Sequence, residues 1–144
     1  MRSNKFRGIG IDTEEWAYGY FTECEEEADN GCIGHLYKRI TIKLPYIVNL
    51  KNEATMVKPE TVGQSTGLPD RNGKEIFDGD VVEGEKYSGK PGIYNNHTGV
   101  VKFRHESFSS FGINQYKGQE AKINSLFEII GNIYGNPELL EVTK

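Results

Sequence analysis

Apolar residues in this chain recur at every second position over short runs, and each run stops near Gly, Asn or Pro. Trp16, Tyr18 and Tyr20 form one such run, Ile40, Ile42 and Leu44 a second, and Val101 and Phe103 a third. A helix needs its apolar residues three and four apart, so this period of two points to half-buried strands joined by tight turns. Eight Tyr, seven Phe and one Trp supply most of the large apolar volume, and these residues suit the pleated surface of a sheet. Seventeen Gly and five Pro provide for frequent reversals. At 144 residues, one domain with one core is expected.

Along the chain, Lys5 to Ile11 reads as a first strand and Trp16 to Tyr20 as a second. A run of five acids in seven residues, Glu23 to Asp29, reads as a solvated loop closing at Asn30-Gly31. Tyr37 to Leu44 alternates again until Pro45, and Val57 to Gln64 leads into a turn at Gly67 to Gly73, with Asn72-Gly73 suited to a hairpin tip. Asp78-Gly79 marks a second turn. Gly84 to Asn96 reads as a mobile polar loop, and Gly99 to Arg104 as a strand. Phe108 to Tyr116 alternates more weakly, and Leu126 to Ile130 continues into Tyr134. Asn136-Pro137-Glu138 has the cap, the proline and the acid of a short helix start. The expected core holds Phe6, Ile40, Ile42, Leu68, Ile76, Val81, Val101, Phe103, Phe127, Ile129 and Leu139.

Charge narrows the function. The net charge is −4, which argues against broad binding to a phosphate backbone. Met1 to Arg7 has basic residues without an apolar stretch behind them, and no run approaches the ~18 apolar residues of a membrane span. A bacterial cytoplasmic location follows as the expectation, with Cys24 and Cys32 as thiols and Asn96-His97-Thr98 without meaning as a glycan acceptor.

Several motifs are weaker than they look. Gly63-Gln64-Ser65-Thr66-Gly67 fits the spacing of a nucleophile elbow, yet Pro69 and Asn72-Gly73 stand where its helix should run. Asp70-Arg71-Asn72-Gly73 begins like a calcium loop but has Glu75 at the sixth position and Val81 at the twelfth. Cys24, Cys32 and His35, with His97 and His105 further on, carry donor atoms at no zinc-knuckle spacing. Gly8-Ile9-Gly10 lacks the third glycine and the helix of a dinucleotide loop. Glu75, Asp78 and Asp80 crowd one turn region, as paired catalytic acids would, but Asp and Gly are also what a reversing turn requires. No metal, cofactor or catalytic residue is expected. Arg7, Lys38, Arg39 and Lys43, near tyrosines, are a candidate basic face for single-stranded nucleic acid.

Thr66-Gly67-Leu68-Pro69-Asp70-Arg71-Asn72-Gly73-Lys74-Glu75-Ile76-Phe77-Asp78-Gly79-Asp80-Val81-Val82 resembles the first signature of the YopX family of phage and prophage proteins. Glu128-Ile129-Ile130-Gly131-Asn132-Ile133-Tyr134-Gly135-Asn136-Pro137-Glu138-Leu139-Leu140 is similar to its second signature, and Lys5-Phe6-Arg7 to its usual start. The chain departs from the family where Gly8 and Ile9 follow Arg7, and Trp16 to Thr55 matches no motif of it. The resemblance implies a compact β domain, part of it like a small SH3-like barrel, in a phage accessory protein without assigned catalytic residues. It also makes Thr66, Gly67, Asp70, Asn72, Gly73, Ile76, Asp78, Gly79, Asp80, Gly131, Asn132, Asn136 and Pro137 signatures of the fold.

The fold expected is therefore all-β and mainly antiparallel, a strongly bent sheet or small SH3-like barrel with a short C-terminal helical turn. It forms one domain over 1–144, in which N-terminal strands of 1–56 pack on a barrel region of 57–144. The function expected is a non-catalytic module that binds a host or phage protein through loop aromatics, with Tyr87, Tyr94, Phe108 and Phe111 as the candidate surface. The alternatives are the nucleic-acid face and a hydrolase built on Asp78 and Asp80. No membrane contact is expected, and exposed strand edges leave homo-oligomers open.

Overall fold

The computed structural model describes residues 5–33, 36–104 and 106–140, with side chains described outside residues 28–40. These residues are strands and turns, in two compact units, Lys5–Val62 and a second that begins at Gly63. No helix among them is long and apolar enough to cross a membrane.

In the first unit, β1 (Phe6–Ile9), β2 (Trp16–Ile33), β3 (Leu36–Val48) and β4 (Ala54–Met56) form antiparallel pairs in the order β4-β3-β2-β1. β1 covers only Trp16 to Gly19 of β2, and β4 covers only Tyr46 to Val48 of β3. Between these limits β2 and β3 run on as a two-stranded ribbon. The acidic stretch expected as a loop is therefore the middle of a strand. Its side chains from Glu23 to Glu27 are exposed, so charge there costs no desolvation, and Glu25 lies directly across from Lys43. Ile47 and Val57 are fully buried in this unit.

In the second unit, β5 (Gly63–Pro69) and β6 (Glu75–Phe77) make a hairpin. β7 (Asp80–Tyr87), β8 (Tyr94–Arg104), β9 (Ser107–Gly112), β10 (Glu120–Lys122) and β11 (Glu128–Asn132) form an antiparallel sheet in the order β10-β9-β8-β7-β11. The small barrel expected here is not closed among the described residues, because β10 and β11 stand at opposite ends of that order. A register shift between Ile129 and Gly131 marks a bulge that interrupts the pairing of β11 with β7. Gly84 to Asn96, expected as a loop, is mostly ladder: Gly84 pairs with His97, and pairing continues to Tyr87 opposite Tyr94. The expected C-terminal helical turn is a single 3-10 turn, Pro137–Leu140.

The core of this unit is Ile76, Val82, Val101, Ala121 and Phe127, with Phe108, Ile123 and Ile129 packed against it. Fully burying a side chain such as Phe127 contributes about 1.5–3 kcal/mol. The Phe127 ring lies against Gly84, where a Cβ would collide with the ring carbons, so the ring position requires glycine at 84. Leu68 and Phe103, expected in the core, are 43% and 38% exposed. Phe103 instead packs its ring on Phe108 across the strand pair, at 5.0 Å between centroids.

Candidate functional site

The first place to look for chemistry is the cluster of polar residues at 65–80, and its geometry is that of a structural knot. Asp70 is 4% exposed. Its Oδ1 accepts the N–H groups of Asn72 and Lys74, each at 2.9 Å, and its Oδ2 accepts that of Ile129 at 3.1 Å. Burial works against its charge, but these three donors from Ile129, Lys74 and Asn72, with the Lys74 ammonium, outweigh burial and hold the carboxyl below its ordinary value. The backbone N–H of Arg71 meets the Phe127 carbonyl at 2.9 Å, and the Arg71 guanidinium pairs with Glu128. One aspartate thus ties the hairpin turn to β11.

The neighbouring acids are used in the same way. Asp80, 1% exposed, accepts the Phe77 N–H at 2.8 Å, and Asp78 accepts the Phe103 N–H at 3.2 Å. Between them Gly79, at a φ of 93°, gives its N–H to Val101 and its carbonyl to Ile133. Ser65, the serine of the elbow-like spacing, is fully buried on β5. It donates to Glu75 and accepts the Gly67 N–H at 3.0 Å. Each of these acids accepts a backbone or hydroxyl hydrogen bond, from its own turn or, for Asp78, from Phe103 on β8.

The second cluster, at 131–139, repeats the arrangement with amides. Asn132 Oδ1 accepts the N–H groups of Tyr134 and Gly135, at 3.0 and 2.7 Å. Asn136 Oδ1 reaches back to the Asn132 N–H at 3.3 Å instead of capping the 3-10 turn, whose Leu139 N–H is taken by the Asn136 carbonyl at 3.0 Å. A Cβ on Gly131 would stand 2.6 Å from Asn136 Oδ1, which explains glycine there.

The expected aromatic surface divides. Tyr87 and Tyr94 are paired directly across β7 and β8, 52% and 54% exposed, with ring centroids 5.7 Å apart. Ile93 beside them is 48% exposed, and the connection is closed by the Ser88 N–H on the Ile93 carbonyl at 3.1 Å. Phe108, by contrast, packs on the core. Phe111 is half-buried beneath Arg104, whose guanidinium is 4.7 Å from the ring centroid. Of the expected basic face, only Arg7 and Lys43 have described side chains. Arg7 is 5% exposed, with its guanidinium 4.2 Å from the Trp16 ring centroid, and Lys43 Nζ lies 4.0 Å from Glu23. The side chains of Lys38 and Arg39 lie outside the described residues.

His97, weighed in the sequence only as a distant donor atom and part of a glycan-acceptor pattern, is a buried group. His97 is 1% exposed, between the rings of Tyr116 and Phe127 at 6.2 and 6.0 Å. Its Nε2 meets Ser110 Oγ at 2.9 Å, and no hydrogen bond reaches its Nδ1. Burial first, and then the charge of Lys86, hold the imidazole below its ordinary value, against an opposing effect of the Gln119 amide and Ser110. Its only sequence signal was a position opposite Gly84 on an alternating strand, which cannot be seen before the register is known. His97 borders an open recess of about 380 Å³ with Arg71, Glu83, Glu85, Asn96 and Tyr116. No three of His, Cys, Asp and Glu converge as a metal site among the described residues, and the side chains of Cys32, His35 and His105 lie outside them.

Comparison with protein families matches the model described as YopX protein to residues 5–141. Among solved structures, the chain is similar to protein EF1440 from Enterococcus faecalis, at 24% identity and a TM-score of 0.45, covering 95% of this chain and 97% of that one. Comparison with curated proteins returned no match.

Proposed function

The chain belongs to the YopX family over residues 5–141, and from that premise we propose that it is a non-catalytic module that engages another protein through the end of the β7–β8 hairpin. The reading places it in a bacterial cytoplasm, as a phage or prophage accessory protein acting on a host or phage partner.

The observation that supports it is the Tyr87–Tyr94 pair. Two rings in cross-strand register, each more than half exposed, stand with Ile93 at a hairpin end. Tyrosines so placed offer large contact area with few rotamers to immobilise, and such residues dominate binding energy at interfaces. The absence of catalysis is part of the proposal, and it draws on Asp70, Asp78 and Asp80, each of which accepts backbone hydrogen bonds.

The experiment is affinity capture from host lysate after nuclease treatment, comparing the tagged full chain with a Tyr87→Ser, Tyr94→Ser variant. A stoichiometric protein retained by the first and lost from the second is the expected result. Nucleic acid that co-purifies without nuclease and leaves at moderate salt would replace this reading with the single-strand one. A protein held equally by both would move the surface elsewhere.

A further inference from the structure

The end of the β7–β8 hairpin offers a strand edge as well as a ring pair. In an antiparallel pair, successive residues turn their N–H and C=O groups alternately toward the partner strand and away from it. Two bonds fix that alternation here. Ser88 donates to the Ile93 carbonyl, one step beyond the pairing of Tyr87 with Tyr94, so Ser88, Lys86 and Gly84 face β8. Ile113 donates to the Thr98 carbonyl, so Thr98 and Glu83, which stand opposite each other, turn apart. Glu83, Glu85 and Tyr87 therefore present their backbone groups at the outer edge of β7. β11 takes that edge at Glu83, through Glu128, and pairs no further along it. Among the described residues, no other backbone bond reaches the outward N–H or C=O of Glu85 or Tyr87. Side chains add a second constraint. Glu83, Glu85 and Tyr87 share one face of β7 and Lys86 lies on the other, because successive residues of a strand point to opposite sides. Glu83 and Glu85 also line the recess beside His97, where Arg71 is paired with Glu128. This side of the open edge is acidic.

We propose that the partner engaged at this hairpin lays an extended segment along β7, bonded to the backbone of Glu85 and Tyr87, with a basic side chain across from Glu85. The inference rests on the hairpin-end reading and names the chemistry of the partner there. Outward N–H and C=O groups at every second residue are matched by another extended backbone, as in strand addition to a sheet edge. A segment in this position continues the sheet past the point where β11 leaves it. Opposite charges directly across a strand pair are favourable, so Glu85 selects Lys or Arg. A second copy of the chain is a poorer occupant. Two-fold pairing of β7 edges through both residues sets Lys86 directly against Lys86, and pairing centred on Glu85 sets that acid against itself.

Amide hydrogen exchange in the full chain, read by nuclear magnetic resonance, tests it. The probe is a short peptide with threonine at every second position and lysine and valine alternating between, at millimolar concentration. The Glu85 and Tyr87 amides are expected to exchange about tenfold more slowly when it is present, while those of Gly84 and Lys86, which face β8, stay as they were. The same peptide N-methylated at lysine and valine, or carrying glutamate for lysine, is expected to leave all four unchanged. In Glu85→Lys, an exposed position, the preference for the lysine and glutamate peptides should reverse. Absence of protection by the lysine peptide overturns the proposal, and so does equal protection by the N-methylated or the glutamate peptide. Protection that rises with chain concentration, without peptide, overturns it in favour of a second copy. Partner capture is read separately. A partner retained through the tyrosines, with these two amides left exchanging freely under the lysine peptide, overturns the added strand and leaves the hairpin-end reading standing. Protection by the lysine peptide with no partner captured supports the edge and fails that reading.

Discussion

The family signatures and the hairpin end at 87–94 use their side chains in opposite ways. Around Asp70, Asp80, Asn132 and Asn136, nearly every polar side chain satisfies a backbone group of its own chain. At Tyr87, Ile93 and Tyr94, large apolar side chains face solvent and hold up little of the fold. The most recognisable sequence in this protein therefore serves the fold, while the hairpin end proposed for recognition carries no signature. Substitutions that damage stability and substitutions that damage binding should fall on different residues.

The largest effect on stability is expected at Asp70. Asp70→Ala removes one acceptor and leaves the N–H groups of Asn72, Lys74 and Ile129 without it, in a position only 4% exposed. A hydrogen bond to a charged group contributes about 1.5–3 kcal/mol, so a loss of about 3–5 kcal/mol is expected in chemical denaturation. Because the carboxyl is held below its ordinary 3.8, the unfolded chain takes up its proton first as pH falls. The stabilisation is full above that value and is lost as pH drops through the folded one, so acid unfolding should begin earlier in the variant. A loss under about 1 kcal/mol would mean that water replaces the carboxylate and that the knot is looser than its geometry.

Next comes Asn136→Ala, which frees the Asn132 N–H and the side-chain contact across Gly131. A loss of about 1–2 kcal/mol is expected by denaturant titration, comparable to removal of a cap. Restoration by Asn136→Asp would show that the acceptor oxygen is what matters.

How much of this was legible beforehand follows from the same contrast. Local turn chemistry is written in adjacent residues, so the turns at Asp70-Arg71-Asn72-Gly73 and Asp78-Gly79 and the helical turn at Pro137 were readable. The all-β, antiparallel character followed from alternation. The acidic strand and the ladder from Gly84 to Asn96 were not readable, because their exposed polar residues carry no apolar alternation to mark a strand. Closure of the barrel was beyond the sequence for a related reason: whether edge strands meet depends on twist and on the bulge at Ile129, not on local preference. The buried His97 and the Arg7–Trp16 stack both depend on cross-strand register, and neither had a local signal.

A third test reaches between the two regions, at His97. The folded protein keeps the imidazole neutral below its ordinary 6.5, whereas the unfolded chain protonates there. Below that pH the unfolded state binds more protons, so stability falls as pH is lowered and levels off beneath the folded value. Thermal unfolding at pH 7.5 and 5.5, compared between wild type and His97→Gln, isolates this contribution, because His35 and His105 are common to both. The expected outcome is a smaller fall in Tm for the variant. Equal falls would place the pH dependence elsewhere.

The smallest effect on the fold is expected where the proposed function lies. Replacing Tyr87 and Tyr94 by Ser removes two rings that are 52% and 54% exposed, so stability should change by no more than about 0.5–1 kcal/mol. The cross-strand ring contact accounts for most of that change, since the backbone pairing of Tyr87 with Tyr94 survives the substitution. Partner retention should nevertheless be lost. A variant that unfolds readily would mean that the ring pair holds the hairpin end together, and the two regions would then differ in degree only. A variant as stable as wild type that has lost its partner would separate fold from recognition at this hairpin, with Asp70→Ala as the reciprocal case once refolded at low temperature.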